Sequence, residues 1–173
     1  MSGGVALRRV ERAADAPIAG LADLLIDVVA DGASVGFLAP LPQATAAAYW
    51  RGVADGLGDA LALWVAEIDG CVAGTVQLAP CMKDNGRHRA DVQKLLVVPA
   101  CRGRGIAAML LDVAEAFARA GSRTLLVLDT RAGSPAEGLY RHRGWQRVGE
   151  IPDYAADPDG TLMPTAYYYK RLW

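Results

Sequence analysis

The stretch VVPACRGRGIAAMLLDVAEAFA, residues 97–118, decides the fold of this chain. A β-rich run ends at Pro99, and Gly103 and Gly105 follow in a basic loop before an apolar pattern with helical spacing begins. Glycine lets a backbone approach a ligand closely, and a helix N-terminus offers unpaired N–H groups and a positive dipole end. Arg102 and Arg104 add charge at the rim. The pattern predicts either a tight strand-to-helix turn or an anion site, for which phosphate fits best.

Length and composition limit the class of protein. The 173 residues are enough for a domain with a core, and we expect one domain over residues 1–173. Hydrophobic residues make up 53% and charged residues 21%, no apolar stretch is as long as a membrane span, and no signal peptide is recognisable. We therefore expect a soluble cytoplasmic protein. A net charge of −1 gives no electrostatic case for a nucleic-acid or membrane partner.

Cysteine and histidine give little support for a metal site. Cys71, Cys81 and Cys101 are odd in number and lack CxxC spacing, so we expect free thiols in a reducing compartment. His88 and His142 lie in basic, polar stretches and are expected at the surface. The sequence therefore predicts no metal ligands.

Glycine and proline divide the chain into elements in the order β, α, α, β, β, β, α, β, α, β, β. The expected strands cover residues 5–11, 62–68, 71–79, 89–98, 123–129, 145–151 and 162–172, with an Asp69-Gly70 type I′ turn between the second and third. The expected helices run from a cap at Asp15 to Gly32, from near Pro42 toward Leu57, along the face formed by Ile106, Leu110, Val113 and Phe117, and from a cap at Ser134 to Gly144. This order predicts a mixed α/β fold with a single layer of sheet covered by helices.

Three kinds of phosphate loop can be compared with the glycine pair. The Lys-Ser/Thr of a P-loop is absent after the last glycine. The spacing Gly103-x-Gly105-x-x-Ala108, with Asp129 at the end of the next strand, fits a dinucleotide fingerprint and leaves an oxidoreductase as an alternative. Four residues separate the strand from these glycines, however, and the motif begins too late in the chain for a second nucleotide-binding half.

The third kind uses the spacing as it stands. Arg102-x-x-Gly105-x-Ala107 resembles the pyrophosphate signature of the GNAT superfamily of acyl-CoA-dependent N-acyltransferases, and the later AEGLYRHRGW, residues 136–145, resembles its second motif. Gly133 stands where many members have Asn. The resemblance implies a GNAT-type α/β fold: one mixed, mostly antiparallel central sheet of about seven strands, with helices on both faces, splayed between the fourth and fifth strands.

The resemblance also implies acetyl-CoA as the acetyl donor. Its pyrophosphate would lie on the loop amides, and its pantetheine arm would add like a strand to backbone at the end of the fourth strand. The implied cofactor-binding residues are Leu95, Leu96, Val97, Arg102, Gly103, Arg104, Gly105, Ile106, Ala107 and Ala108.

Acetyl transfer to an amine requires one proton to leave the ammonium and another to reach the departing thiolate. Tyr140, in the second motif, is the candidate acid, and a core tyrosine is the alternative. Asp91 and Asp129 come from the two strands that flank the expected gap, where they could bind and deprotonate the ammonium; solvated or loop-capping carboxylates are the alternatives. One of Gln93 and Lys94 could reach the same site, because the two alternate faces.

Shorter stretches resemble the tabtoxin-resistance branch of the superfamily, which acetylates a β-lactam amino-acid toxin. They are GASVGF, RADVQKL, RGRG, LDTRAGS and PDGTLMPTAYY. The expected acceptor is a small amino-acid-like or toxin-like amine, and the expected assembly is a homodimer. A CoA-binding sensor without turnover is the alternative function. Trp64 and the run Tyr167 to Tyr169 are expected to pack within strands.

Overall fold

A computed structural model describes residues 4–173 and contains one seven-stranded sheet with four α-helices. The strands are β1 (Val5–Val10), β2 (Ala62–Ile68), β3 (Cys71–Pro80), β4 (Arg89–Val97), β5 (Leu125–Arg131), β6 (Gln146–Ala156) and β7 (Leu162–Arg171). The helices are α1 (Ile18–Ala30), α2 (Gln43–Asp55), α3 (Ile106–Ala120) and α4 (Pro135–His142). The predicted order of elements is confirmed.

The sheet is mixed and mostly antiparallel, in the order β1-β2-β3-β4-β5-β7-β6. Among the strands of residues 4–173, only β4 and β5 pair in parallel, and their ladder is short: it begins at Arg89↔Leu125 and ends at Asp91↔Val127. Beyond Asp91, β4 continues to Val97 without pairing to β5. The predicted opening between the fourth and fifth strands is therefore confirmed, and it begins at a carboxylate.

Helices cover both faces of the sheet. On one face, α3 and α4 pack on a core that includes Trp64, Val76 and Leu126. On the other face, α1 and α2 pack on β2 and β3. Gly74 of β3 allows α3 to approach the sheet closely, because a Cβ there would lie 3.1 Å from Ile106 and 3.2 Å from Leu110. The layers thus hold the end of β4 and the start of α3 in fixed positions.

Several predicted ends of elements need correction. Asp15 does not cap α1, which begins at Ile18; its carboxylate instead pairs with Arg12 at 2.8 Å. Ser134 occupies the cap position of α4, but its side chain forms no capping hydrogen bond. The sixth strand is longer than predicted and extends to Ala156. Its pairing with β7 shifts register between Ile151 and Ala155, the interval that contains a proline, and then resumes.

The Asp69-Gly70 turn is confirmed by its backbone angles. Asp69 has φ 50° and Gly70 has φ 79°, as a type I′ hairpin turn requires at both central positions.

Candidate functional site

A cavity of about 160 Å³ lies where β4 and β5 stop pairing. Its lining consists of Asp91, Val92, Gln93, Val127, Leu128, Asp129 and Tyr167. The structure therefore brings together the two carboxylates that the sequence placed on opposite sides of the gap. Tyr140 is not among the residues that line this cavity.

The two carboxylates differ in environment. Asp91 is half-buried in β4, and Asp129 is exposed near the end of β5. Burial raises the pKa of Asp91, the positive charge of Arg89 opposes this rise, and the negative charge of Asp129 adds to it. Such a pair can bind a cation between its members, and a carboxylate with a raised pKa is a better base than an ordinary aspartate.

Tyr140 projects from α4 into the core beside this gap. Its side chain is 6% exposed, and its ring centroid is 5.9 Å from those of Trp145 and Tyr168. Burial raises the pKa of Tyr140 above its usual value, and the charge of Asp129 adds to the rise. The phenol is therefore protonated throughout the physiological pH range, and it lies within the electrostatic reach of the cavity.

Glu137 fixes the position of α4. Its carboxylate accepts hydrogen bonds from the Gly133 N–H at 2.7 Å, from Arg147 at 3.3 Å and from the Tyr168 hydroxyl. Burial opposes ionisation, but these hydrogen bonds together lower the pKa of Glu137. The backbone of Gly133, at φ 77°, thus helps to anchor the helix that carries Tyr140.

The prediction that Tyr167 only packs within its strand is wrong. Tyr168 is 1% exposed and belongs to the core, whereas Tyr167 pairs with Asp129 in the β5–β7 ladder and lines the cavity. A hydrogen bond with Tyr154 is the main cause that raises the pKa of Tyr167 to about 12, and the two rings meet edge to face at 5.8 Å. In a strand, the three consecutive tyrosines must point to alternate faces of the sheet. The sequence does not tell which of them faces the gap.

The glycine loop has the backbone that an anion site needs. Gly103 and Gly105 have φ 76° and 77°, a region that favours glycine, and a Cβ on either would meet nothing within 4 Å. Gly105 immediately precedes α3, so Ile106, Ala107 and Ala108 form its first turn. Amides of a first turn have no partner within the helix and are free to bind an oxyanion.

Arg102 is not free in this structure. Its guanidinium lies 2.5 Å from the Asp31 carboxylate at the end of α1. A second cavity, of about 370 Å³, lies beside this ion pair and is lined by Asp27, Ala30, Asp31, Val98, Pro99 and Ala100. An anion on the loop would therefore compete with Asp31 for Arg102. Arg104 is exposed.

The end of β4 has one edge available. Leu96 and Val97 pair with Thr75 and Gly74 of β3, and the ladder to β5 has already ended at Asp91. Among residues 4–173, no strand pairs with the β5 side of Leu95, Leu96 and Val97. An extended amide-containing chain can add there by β-augmentation.

The connection between α1 and α2 reaches across to the β6–β7 hairpin. The Ser34 hydroxyl donates to the Ala156 carbonyl at 3.0 Å, and the Ala39 N–H donates to the Pro158 carbonyl at 2.9 Å. Arg131 of β5 pairs with Asp157 in the same hairpin at 2.8 Å. These contacts place residues 31–42 beside the open part of the sheet.

The other sequence-predicted groups lie outside this region. His88 and His142 are exposed, and the three cysteines are free, as predicted. Within residues 4–173, no group of three or more His, Cys, Asp or Glu side chains is arranged to hold a metal ion. None of the helices in this described part has the length and apolar composition of a membrane span.

Sheet order, the opening at β4 and the glycine loop before α3 together define an acyltransferase fold of the GNAT type. The chain belongs to the Acetyltransferase (GNAT) family, whose model matches residues 28–145, and it is an N-acetyltransferase. This assignment favours the acyltransferase interpretation of the glycine loop over the dinucleotide one.

Known relatives agree with the family. An uncharacterised N-acetyltransferase from the hisH–hisA intergenic region of Azospirillum brasilense is 30% identical over 129 residues, which are 73% of this chain and 76% of that protein. An N-acetyltransferase from Staphylococcus aureus Mu50 superposes with a TM-score of 0.80 at 18% identity over 98% of this chain and 99% of that one. A phosphinothricin acetyltransferase from Sinorhizobium meliloti, solved in complex with AcCoA, superposes with a TM-score of 0.77 at 19% identity, over 97% of this chain and 88% of that one. The structural likenesses, at this identity, show the fold.

Proposed function

We propose that this N-acetyltransferase transfers an acetyl group from acetyl-CoA to the amine of a small amino-acid-like acceptor by direct attack on the thioester. The observation that carries the proposal is the cavity at the end of the β4–β5 ladder. It places Asp91 and Asp129 next to the one edge of β4 that is open to an extended ligand. Donor and acceptor would thus meet at the same opening of the sheet.

The residues present fit acetyl-CoA. Backbone groups of residues 95–97 match the amides of a pantetheine arm, and the open space around Gly103 and Gly105 leaves room for a pyrophosphate on the loop amides. Arg102 would exchange Asp31 for the pyrophosphate, and Arg104 would add positive charge. The bound thioester would supply the activated acetyl group.

Asp91 and Asp129 would bind the acceptor ammonium and take its proton. Two carboxylates facing one cavity favour a bound cation, and the raised pKa of Asp91 suits the role of base better than an ordinary aspartate does. On this ground we assign the role of general base to Asp91. Asp129 would support it by attracting the ammonium electrostatically.

Tyr140 would act at the departing sulfur. Its raised pKa widens the difference from a thiol, for which the usual value is about 8.5, so full proton transfer from the phenol is uphill. A neutral phenol remains an effective hydrogen-bond donor to a developing thiolate. We therefore propose that Tyr140 first stabilises the developing thiolate as a hydrogen-bond donor and then protonates the sulfur as the C–S bond breaks. The phenolate regains, through solvent, the proton that Asp91 took from the ammonium.

The nature of the acceptor rests on resemblance. The stretches that resemble the tabtoxin-resistance branch extend from Gly32 to Tyr168, and one structural neighbour is a phosphinothricin acetyltransferase. Both kinds of enzyme are named for small amino-acid-like compounds. A toxin-resistance role, a cytoplasmic location and a homodimer remain predictions.

The direct test is release of CoA thiol with acetyl-CoA and a panel of amines, including tabtoxinine-β-lactam and phosphinothricin. Acetylation of at least one amino-acid-like member supports the proposal. Binding of CoA without turnover of any amine favours the sensor alternative and contradicts acetyl transfer through Asp91 and Tyr140. Thermal stabilisation by NAD instead of CoA would contradict the assignment of the cofactor loop.

A further inference from the structure

Lys94 has an unusual backbone conformation for its residue type. It lies in β4 with φ 47°, in the left-handed region that favours glycine. The register of the β3–β4 ladder shifts between Thr75 and Gln77, which pair with Leu96 and Gln93, so Lys94 lies in a bulge of β4. Strained non-glycine residues are concentrated at functional sites, where the side chain is needed at that place. The Lys94 ammonium is therefore a candidate functional group.

The ammonium of Lys94 lies at the wall formed by α2 and the α1–α2 connection. Its Nζ is 5.5 Å from the centroid of the Tyr49 ring and 3.9 Å from the position that a Cβ on Gly36 would take. Tyr49 is itself fixed by a hydrogen bond of 3.1 Å from the buried Gln77 amide. The cation therefore rests on an ordered aromatic surface.

The positive charge has no close anion. Of the ion pairs that the structure shows among residues 4–173, none includes Lys94. Burial lowers the pKa of Lys94, and the more distant charge of Asp129 partly opposes this. A partly buried cation without a paired anion is stabilised when an anion binds beside it.

The position relates this cation to the carboxylate pair. Lys94 follows the cavity-lining residue Gln93 and lies three residues after Asp91 on the same strand, and it senses the charge of Asp129. The two negative groups line the cavity; Lys94 is not among the lining residues but lies directly beyond Gln93 on the same strand, with its ammonium over the Tyr49 ring. This arrangement is complementary to a molecule that has an ammonium and an acidic group close together.

We infer that Lys94 binds an acidic group of the acceptor, such as a carboxylate, while Asp91 and Asp129 hold its ammonium. Lys94 is thereby a specificity-determining residue that selects zwitterionic amino acids over simple amines. The inference rests on the proposed acetyl transfer and names the chemical class of its acceptor more narrowly.

The test compares amino acids with their α-carboxamides. Each proteinogenic amino acid and its carboxamide share one amine and one side chain and differ in the acidic group. CoA release is measured with each member of a pair for the parent and for Lys94→Met, which keeps the length of the side chain and removes its charge. Because both proteins are compared on the same pair, differences in amine basicity cancel.

The expected result is a loss of selectivity. Lys94→Met should raise KM for the acid by about 10- to 100-fold, as expected for a lost charge-assisted hydrogen bond, and leave KM for the carboxamide and for acetyl-CoA nearly unchanged. Lys94→Arg should keep a preference for the acid. Lys83→Met removes a charge from an exposed position and should behave like the parent.

A glycine variant separates specificity from folding. Glycine favours the backbone angles of position 94, so Lys94→Gly relieves the strain there while it removes the ammonium. We expect it to fold and to lose the preference for acids. An acid preference that survives in both Lys94→Met and Lys94→Gly would overturn the inference.

Failure of the proposed acetyl transfer can be distinguished from failure of the inference about Lys94. Turnover of carboxamides and acids with equal KM by the parent overturns the role of Lys94 but leaves acetyl transfer intact. If no amine turns over, calorimetric titration of the CoA-saturated protein with the same pairs decides: tighter binding of the acid, lost in Lys94→Met, supports the inference while the enzyme mechanism fails. Equal or absent binding of both members overturns the inference as well.

Discussion

Replacing Gly105 by valine is expected to remove the response to CoA while leaving the fold. Gly105 has φ 77°, and valine in this region loses about 1–3 kcal/mol of folding free energy. Gly70 provides a matched control, because it has φ 79°, a Cβ there would also meet nothing within 4 Å, and it lies in the β2–β3 turn. Both variants should lose similar stability, and only Gly105→Val changes the loop before α3.

The size of the effect follows from linkage. A ligand at 100 times its Kd stabilises the folded state by about 2.7 kcal/mol. For a chain of this length each kcal/mol corresponds to a change in Tm of about 2–4 °C, so saturating CoA should raise Tm by roughly 5–11 °C. We expect this rise in the parent and in Gly70→Val and expect none in Gly105→Val.

The assay is thermal unfolding followed by circular dichroism, with and without CoA. It reads ligand binding separately from intrinsic stability, because each variant serves as its own reference without ligand. A full CoA-induced rise in Gly105→Val would refute the assignment of the pyrophosphate to this loop. If both glycine variants lost the CoA-induced rise in Tm equally, the loss would be due to reduced stability. This result would also refute the assignment of the pyrophosphate to the loop.

The remaining predictions concern the reaction and the assembly. Tyr140→Phe should lower kcat toward the lower end of the ~10²–10⁴-fold range of a positioned acid, with the Kd for acetyl-CoA unchanged, and a parent-like kcat would exclude the role. Asp129→Asn should move the acidic limb of kcat/KM to lower pH, since it removes one cause of the raised Asp91 pKa, while Asp91→Asn should abolish that limb; an unmoved limb in both contradicts the assignment. Light scattering should give the mass of two chains, and a monomer at high concentration would end the dimer prediction.

The parts of the site that local sequence rules describe could be predicted. Gly105 before an amphipathic helix has one favoured backbone conformation, so the loop before α3 could be located. Asp91 and Asp129 interrupt apolar strands, and a carboxylate in a strand with two buried faces is disfavoured unless the sheet opens. The order of elements then brings the two strands side by side.

The parts that depend on tertiary register could not be predicted. The left-handed conformation of Lys94 follows from a bulge opposite β3, and a lysine gives no local signal for it. The orientation of Tyr167 depends on its pairing with Asp129, and the run of tyrosines fits either register. Asp15 looks like a helix cap in sequence, but the neighbouring Arg12 binds its carboxylate instead.

Close packing at Gly74 has a genetic consequence. A methyl group there would lie 2.9 Å from the Leu96 carbonyl oxygen, 3.1 Å from Ile106 and 3.2 Å from Leu110. The first contact is with backbone and the other two are with side chains of α3, so an alanine allele would disturb the proposed donor site from within the core. Intragenic suppressors that shorten Ile106 or Leu110 would relieve only the contacts with the helix. The contact with the Leu96 carbonyl is with backbone, and no side-chain substitution can relieve it. Activity would therefore return only in part, even where folding is fully restored.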